Sequence, residues 1–185
     1  MKSIVFVTTN KGKAREVKKI IEKIEVKIVG LELREKKHLS HEKLVQAKAK
    51  HAFELVGKPV VVEDTGIFVE GFKDYPGLRS REVFEKIGFR GFLEKCGGRK
   101  AFFRTIAGFY DGKRMVLFKG ICKGRIGRKV EGRKIEGLPF LNVFIPNGFS
   151  KPVAAFSKKD LEKFLFKTNH RAKAFKKFEK WFLLQ

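Results

Sequence analysis

KSIVFVTTNKGKAREVKKIIEKI, residues 2–24, passes without a break from an apolar run through a polar loop into a lysine-rich segment. The first part reads as a strand with its exit loop. In the last part Val17, Ile20, Ile21 and Ile24 recur at helical spacing, so an amphipathic helix is expected. A strand feeding directly into such a helix opens an α/β unit. Between them lies Thr8-Thr9-Asn10-Lys11-Gly12-Lys13. In α/β sheets ligands sit beyond the carboxyl ends of strands, and a helix start there offers free N–H groups to a phosphate. Thr and Asn are also ordinary helix caps, so these residues alone leave both readings open. The loop is not a GxxxxGK[ST] phosphate loop.

The pattern continues outward. VKIVGLEL (26–33) reads as a second strand and HEKLVQAKAKHAFELVG (41–57) as a second helix. Leu44, Ala47, Ala52 and Leu55 are expected to face inward, with Ser40 as N-cap and Gly57 as C-cap. KPVVVEDTG (58–66) is a continuous apolar strand, as expected where both faces are covered, closed by two carboxylates and an Asp-Thr-Gly turn. A strand over IFVEGF and a Pro76-Gly77 turn follow, then a helix broken near Gly88. Residues 100–126 read as two antiparallel strands joined at Asp111-Gly112. A basic glycine-spaced loop (127–137), a short strand LNVFIP (141–146) and a helical C-terminal segment from Lys158 complete the chain. The order predicts a single mixed-sheet α/β domain spanning residues 1–185, with helices flanking the sheet.

Composition narrows the function classes. The chain has 185 residues and 43% hydrophobic content, enough for a real core. No apolar run reaches the ~20 residues of a membrane span, and the N-terminal apolar stretch is short for a secretory signal. Cys96 and Cys122 imply no disulfide framework, so a cytoplasmic protein is expected. The 43 Lys and Arg against 20 Asp and Glu give a net charge of +23, a field that attracts phosphates on nucleotides or nucleic acid. Most of the 20 Phe are expected in the core.

Two further stretches can carry chemistry. Glu63 and Asp64 project to opposite faces of their strand, so one can face a ligand crevice, hold Mg²⁺ or take a proton from water. Asn169-His170-Arg171 offers a base-edge contact and a phosphate or carbonyl contact, or else is a solvated helix face.

In this order the stretches resemble the inosine/xanthosine triphosphate pyrophosphatases, which remove non-standard purine nucleotides. Thr8, Asn10 and Lys13 match the family's Thr-x-Asn-x-x-Lys, and Glu16 its following acidic residue. Lys48-Ala49, Glu63-Asp64-Thr65-Gly66, Pro76-Gly77, Phe118 to Ile126 and Asn169-His170-Arg171 match later segments. The resemblance implies two lobes around a central nucleotide cleft, and Mg²⁺-dependent hydrolysis of a nucleoside triphosphate to monophosphate and pyrophosphate. It places Thr8, Asn10, Lys13, Lys48, Thr65 and Arg81 on the phosphates, and Asp64 with Lys48 in the catalytic step. It assigns the metal to Asp64 and Glu35, with Glu32 as a rival, and implies a homodimer. Phe140, Lys163, His170 and Arg171 fall on the base side, with Lys167 the alternative to Lys163.

The departures cluster on that side. Leu138-Pro139-Phe140-Leu141 stands where the family has Phe-Gly/Ala-Tyr/Trp-Asp. Leu141 supplies no carboxylate, and Asn142, one place on, is a substitute if the loop shifts. Ala155 replaces a family Glu and Asn169 a Ser. Altered base preference is the first expectation. The alternative is an inactive homologue that binds nucleic acid through its basic loops.

Overall fold

Val60, Val61 and Val62 are fully buried, as a strand covered on both faces requires. The computed structural model describes residues 2–34 and 40–185. In chain order its principal elements are β1 (Ser3–Val7), α1 (Lys11–Ile20), β2 (Glu25–Val29), α2 (His41–Val56), β3 (Val60–Val69), β4 (Pro76–Gly77), α3 (Ser80–Cys96), β5 (Lys100–Tyr110), β6 (Met115–Ile126), β7 (Phe144–Pro146), α4 (Lys158–Lys163) and α5 (His170–Leu183). They form a mixed α/β fold on a seven-stranded sheet ordered β2-β1-β3-β5-β6-β7, with β4 paired to β3. β1 runs parallel to β2 and β3, and β7 antiparallel to β6.

The chain divides into two compact units, 1–64 with 105–120 and 170–185, and 65–104 with 121–169. The first unit buries apolar side chains on both faces of its strands. Ile4, Phe6 and Val61 pack with Val17 and Ile20 of α1 and Phe175 and Phe178 of α5. Val7, Val60 and Val62 pack with Val45, Ala49 and Ala52 of α2. At the start of β3, Val61 therefore faces α1 and α5, and Val60 and Val62 face α2. The second unit has its own core, including Phe92, Phe103, Phe140, Phe144 and Phe164.

Caps and breaks fall where the sequence puts them. Asn10 and Ser40 accept from the backbone N–H three residues on, and Gly57 ends α2 in the left-handed region at φ 67°. Gly88 breaks the helical dihedrals inside α3. Four expectations are corrected. Ile24 is buried but lies beyond the end of α1. β2 stops at Val29, short of the GLEL expected to prolong it. Leu55 is 52% exposed on the last turn of α2, while Val45 and Ala49 complete the buried stripe. Most consequentially, Glu63-Asp64 do not close β3, which runs on through Thr65-Gly66 to Val69. Gly66 serves a close approach instead of a turn: a Cβ there would lie 2.7 Å from the Gly77 carbonyl oxygen.

Candidate active site

The register of β1 on β3 sets Val5 beside Val60 and Phe6 beside Val61. Glu63 and Asp64 thus lie just past the end of β1, level with its exit loop. Alternation then separates them. Glu63 points with Val61 toward α1 and α5, and Asp64 points with Val62 toward α2. Each carboxylate gathers its own cations.

On the first face, Lys13 Nζ lies 2.7 Å from Glu63 Oε1. Arg171 Nε donates to Glu63 Oε2 at 3.3 Å, and its Nη1 donates to Glu16. Arg171 is 1% exposed. Burial pulls its pKa down, but the charges of Glu63 and Glu16 outweigh that and raise it. His170 is buried beside it, with Nδ1 2.6 Å from Thr105 Oγ1. A side chain at Gly120 would collide with the His170 carbonyl, so that glycine lets the start of α5 settle on β6. Burial, and then the Arg171 charge, hold the His170 pKa well below its ordinary value. His170 is therefore neutral in the fold and protonated in the unfolded chain below about pH 6.5. Stability should fall as pH drops through that value, by up to about 1.4 kcal/mol per pH unit for this group. Thermal unfolding of His170→Asn should depend less on pH between 7.5 and 5.5 than that of wild type; equal slopes would place the charge uptake elsewhere.

On the second face, Lys48 Nζ lies 3.4 Å from Asp64 Oδ1. His41 Nε2 bonds the Asp64 carbonyl oxygen at 3.2 Å and lies 3.1 Å from Oδ2, which has no aligned hydrogen-bond donor. Burial raises the Asp64 pKa, but the closeness of the His41 imidazole and the charges of Lys48 and Lys13 prevail and lower it to about 2. The result is a buried carboxylate that stays ionised, with one oxygen unsaturated. Hard cations such as Mg²⁺ take one or two protein carboxylates and complete their shell with water and phosphate oxygens, so this donor fits such an ion.

The exit loop satisfies itself. Thr8 Oγ1 accepts from Asn10 N at 3.2 Å, and Asn10 Oδ1 from Lys13 N at 3.0 Å. The capping reading of these residues thus holds in this state, and the phosphate reading must reuse the same groups. Glu35, the expected second metal ligand, lies outside the described residues.

Thr65, Arg81, Phe140 and Lys163 belong to the second unit. Thr65 follows Asp64 in β3. Arg81 is on the surface of α3, with Nε 2.8 Å from Glu85. Lys163 Nζ lies 5.5 Å from the centroid of the Phe149 ring. Phe140, an expected base contact, is buried, with its ring in T-shaped contact with those of Phe84 and Phe92. Asn142 is buried too, and its Nδ2 donates to the carbonyls of Glu131 and Arg133, both at 3.0 Å. Leu141 is buried in the same core, so Leu141→Asp would bury an unpaired charge instead of restoring a base contact. Chemical denaturation should register a loss of more than about 2 kcal/mol; an unchanged midpoint would mean that this loop can open.

His170 and Arg171 do not form a solvated face: both are buried, His170 against Thr105 and Arg171 against Glu63. Sequence reading missed His41 as a partner of Asp64. Its signal was there: His41 and Lys48 are seven residues apart, two helical turns, and so share one face of α2.

Comparison with known proteins shows the family. The Ham1 family model matches residues 4–181. The chain is 36% identical to a protein of Methanopyrus kandleri named dITP/XTP pyrophosphatase, covering 97% of this chain and 95% of that one. It is 31% identical to one of the same name from Thermococcus kodakarensis, covering 96% of each. Among solved structures, a HAM1 protein from Coxiella burnetii superposes with a TM-score of 0.79 at 17% identity over 100% of both chains, a likeness of fold. With the family matched from near its first strand to its last helix, the chain belongs to the Ham1 family.

Proposed function

We propose that this protein hydrolyses non-standard purine nucleoside triphosphates, ITP, dITP and XTP, to the monophosphate and pyrophosphate with Mg²⁺. The observation that carries the reading is Asp64: buried, ionised, with Oδ2 unsaturated and Lys48 on its other oxygen. The name of the relatives, dITP/XTP pyrophosphatase, supplies the substrate class.

Asp64 and Glu35 would hold the metal, which would supply Lewis-acid polarisation of the phosphoryl group and positive charge for the leaving pyrophosphate. Lys48 contributes its positive charge to the phosphates from the wall formed by α2. Lys13 does so after exchanging Glu63 for a phosphate oxygen, and the N-terminal N–H groups of α1 add their dipole. Thr8, Asn10, Thr65 and Arg81 complete the phosphate contacts. Such chemistry rests on positioned charge more than on a strong nucleophile. On the base side, Lys163, His170 and Arg171 remain our candidates, the last two only if their present bonds are exchanged. With Phe140 and Asn142 occupied elsewhere, we expect base preference to be relaxed or altered. We further read the protein as a cytoplasmic homodimer. Its two cysteines are free and buried, which accords with a reducing compartment.

The test is pyrophosphate release from ITP, XTP, dITP, GTP and ATP with Mg²⁺, with Asp64→Asn as control. Asp64-dependent release supports the reading, and the ranking gives the base preference. Release from none of the five would refute it.

A further inference from the structure

We infer that His41 is a positioning residue for Asp64, holding the carboxylate in place while leaving Oδ2 unsaturated. This rests on the hydrolase reading above. His41 is the first residue of α2, directly after the N-cap Ser40, whose Oγ accepts from Lys43 N at 3.3 Å. The imidazole is 2% exposed. Its Nε2 faces two atoms of one residue, the Asp64 carbonyl oxygen at 3.2 Å and Oδ2 at 3.1 Å. Both are acceptors, so Nε2 carries the hydrogen. The hydrogen is directed at the main-chain carbonyl, and Oδ2 lies 3.1 Å from the same nitrogen without an aligned hydrogen bond. Lys48, two turns along the same face, takes Oδ1 at 3.4 Å.

One helix thus grips Asp64 at the main chain and at one side-chain oxygen. The other oxygen keeps its lone pairs for an incoming ion or water. The arrangement corresponds to the outer partners of metal ligands, whose loss typically costs about 10–100-fold in metal affinity or activity. His41 touches neither substrate nor metal in this account.

The test uses full-length His41→Phe, which keeps a ring but removes the donor, and His41→Gln, whose amide nitrogen reaches the Nε2 position. For ITP hydrolysis, His41→Phe should lose about tenfold or more in kcat with KM within about threefold, and His41→Gln should recover most of the loss. Separately, Mn²⁺ binding in the presence of pyrophosphate, followed by the EPR signal of the free ion, should weaken about tenfold in His41→Phe and little in His41→Gln. Unchanged kcat and Mn²⁺ affinity in His41→Phe, or equal losses in both variants, would overturn the inference. If wild type lacks turnover, the hydrolase reading fails on its own and the Mn²⁺ comparison still decides the role of His41. Should His41→Phe fail to fold, His41→Asn replaces it, because its shorter amide does not reach the carbonyl.

Discussion

Asp64→Asn is expected to abolish turnover, by at least about a thousandfold or about 4 kcal/mol in barrier, while leaving nucleotide binding measurable. The exchange is nearly isosteric, so packing against α2 is preserved. What changes is charge and donor count. Asn brings an NH₂ group into a site that already holds the Lys48 ammonium and the His41 N–H, with no ionised oxygen left to hold a cation. Lys13 and the start of α1 are untouched, so phosphate binding should persist. Single-turnover pyrophosphate release measures the first effect and equilibrium dialysis of ITP the second; near-normal turnover would remove Asp64 from the mechanism.

The pH behaviour of the same residue follows from its folded pKa of about 2. An unfolded Asp titrates near ~3.9, so its ionised form is favoured by the fold. The stabilisation is fully present above that value and lost as pH falls through about 2. Loss of stability between pH 7.5 and 5.5 therefore cannot come from Asp64. It falls to groups such as His170, whose pKa is depressed from a higher starting value.

Periodicity made most of the fold legible. Val17 and Ile20 on α1, and the valines of β3, declared their buried faces because burial must follow the 3.6 and 2.0 repeats. The extent of β3 was not legible. Thr65-Gly66 after two carboxylates reads as a turn, and only the contact with Gly77 shows the glycine as a strand residue accommodating a neighbour. The phosphate and metal side of the site was legible as residue types. Lys48 lies on Asp64, whereas Lys13 lies on Glu63 on the other face of β3, and this pairing is set by tertiary packing. The base side was not legible. In a chain with 20 Phe, a ring in a loop reads equally as a stacking platform or as core, and Phe140 is core.

Arg171→Leu should cost about 3–5 kcal/mol of stability, the range for breaking a buried ion pair by removing one partner. At roughly 2–4 °C per kcal/mol for a chain of this size, the melting temperature should fall by about 6–20 °C. The reason is what the substitution leaves behind. Glu63 has a fully buried side chain and Glu16 a partly buried one, and both lose a guanidinium whose N–H groups they share. Lys13 remains on Glu63 but supplies one ammonium where two cations stood. The double variant Glu63→Gln with Arg171→Leu removes the stranded charge and should regain part of the loss, giving a coupling of at least about 1 kcal/mol in a double-mutant cycle. Additive losses would mean that Glu63 and Arg171 act independently. A real coupling has a functional corollary. If a triphosphate draws Lys13 away from Glu63, Arg171 is the cation that keeps Glu63 neutralised in the bound state. Saturating ITP should then stabilise wild type more than it stabilises Arg171→Leu, and that difference separates a packing role for Arg171 from one that supports the release of Lys13.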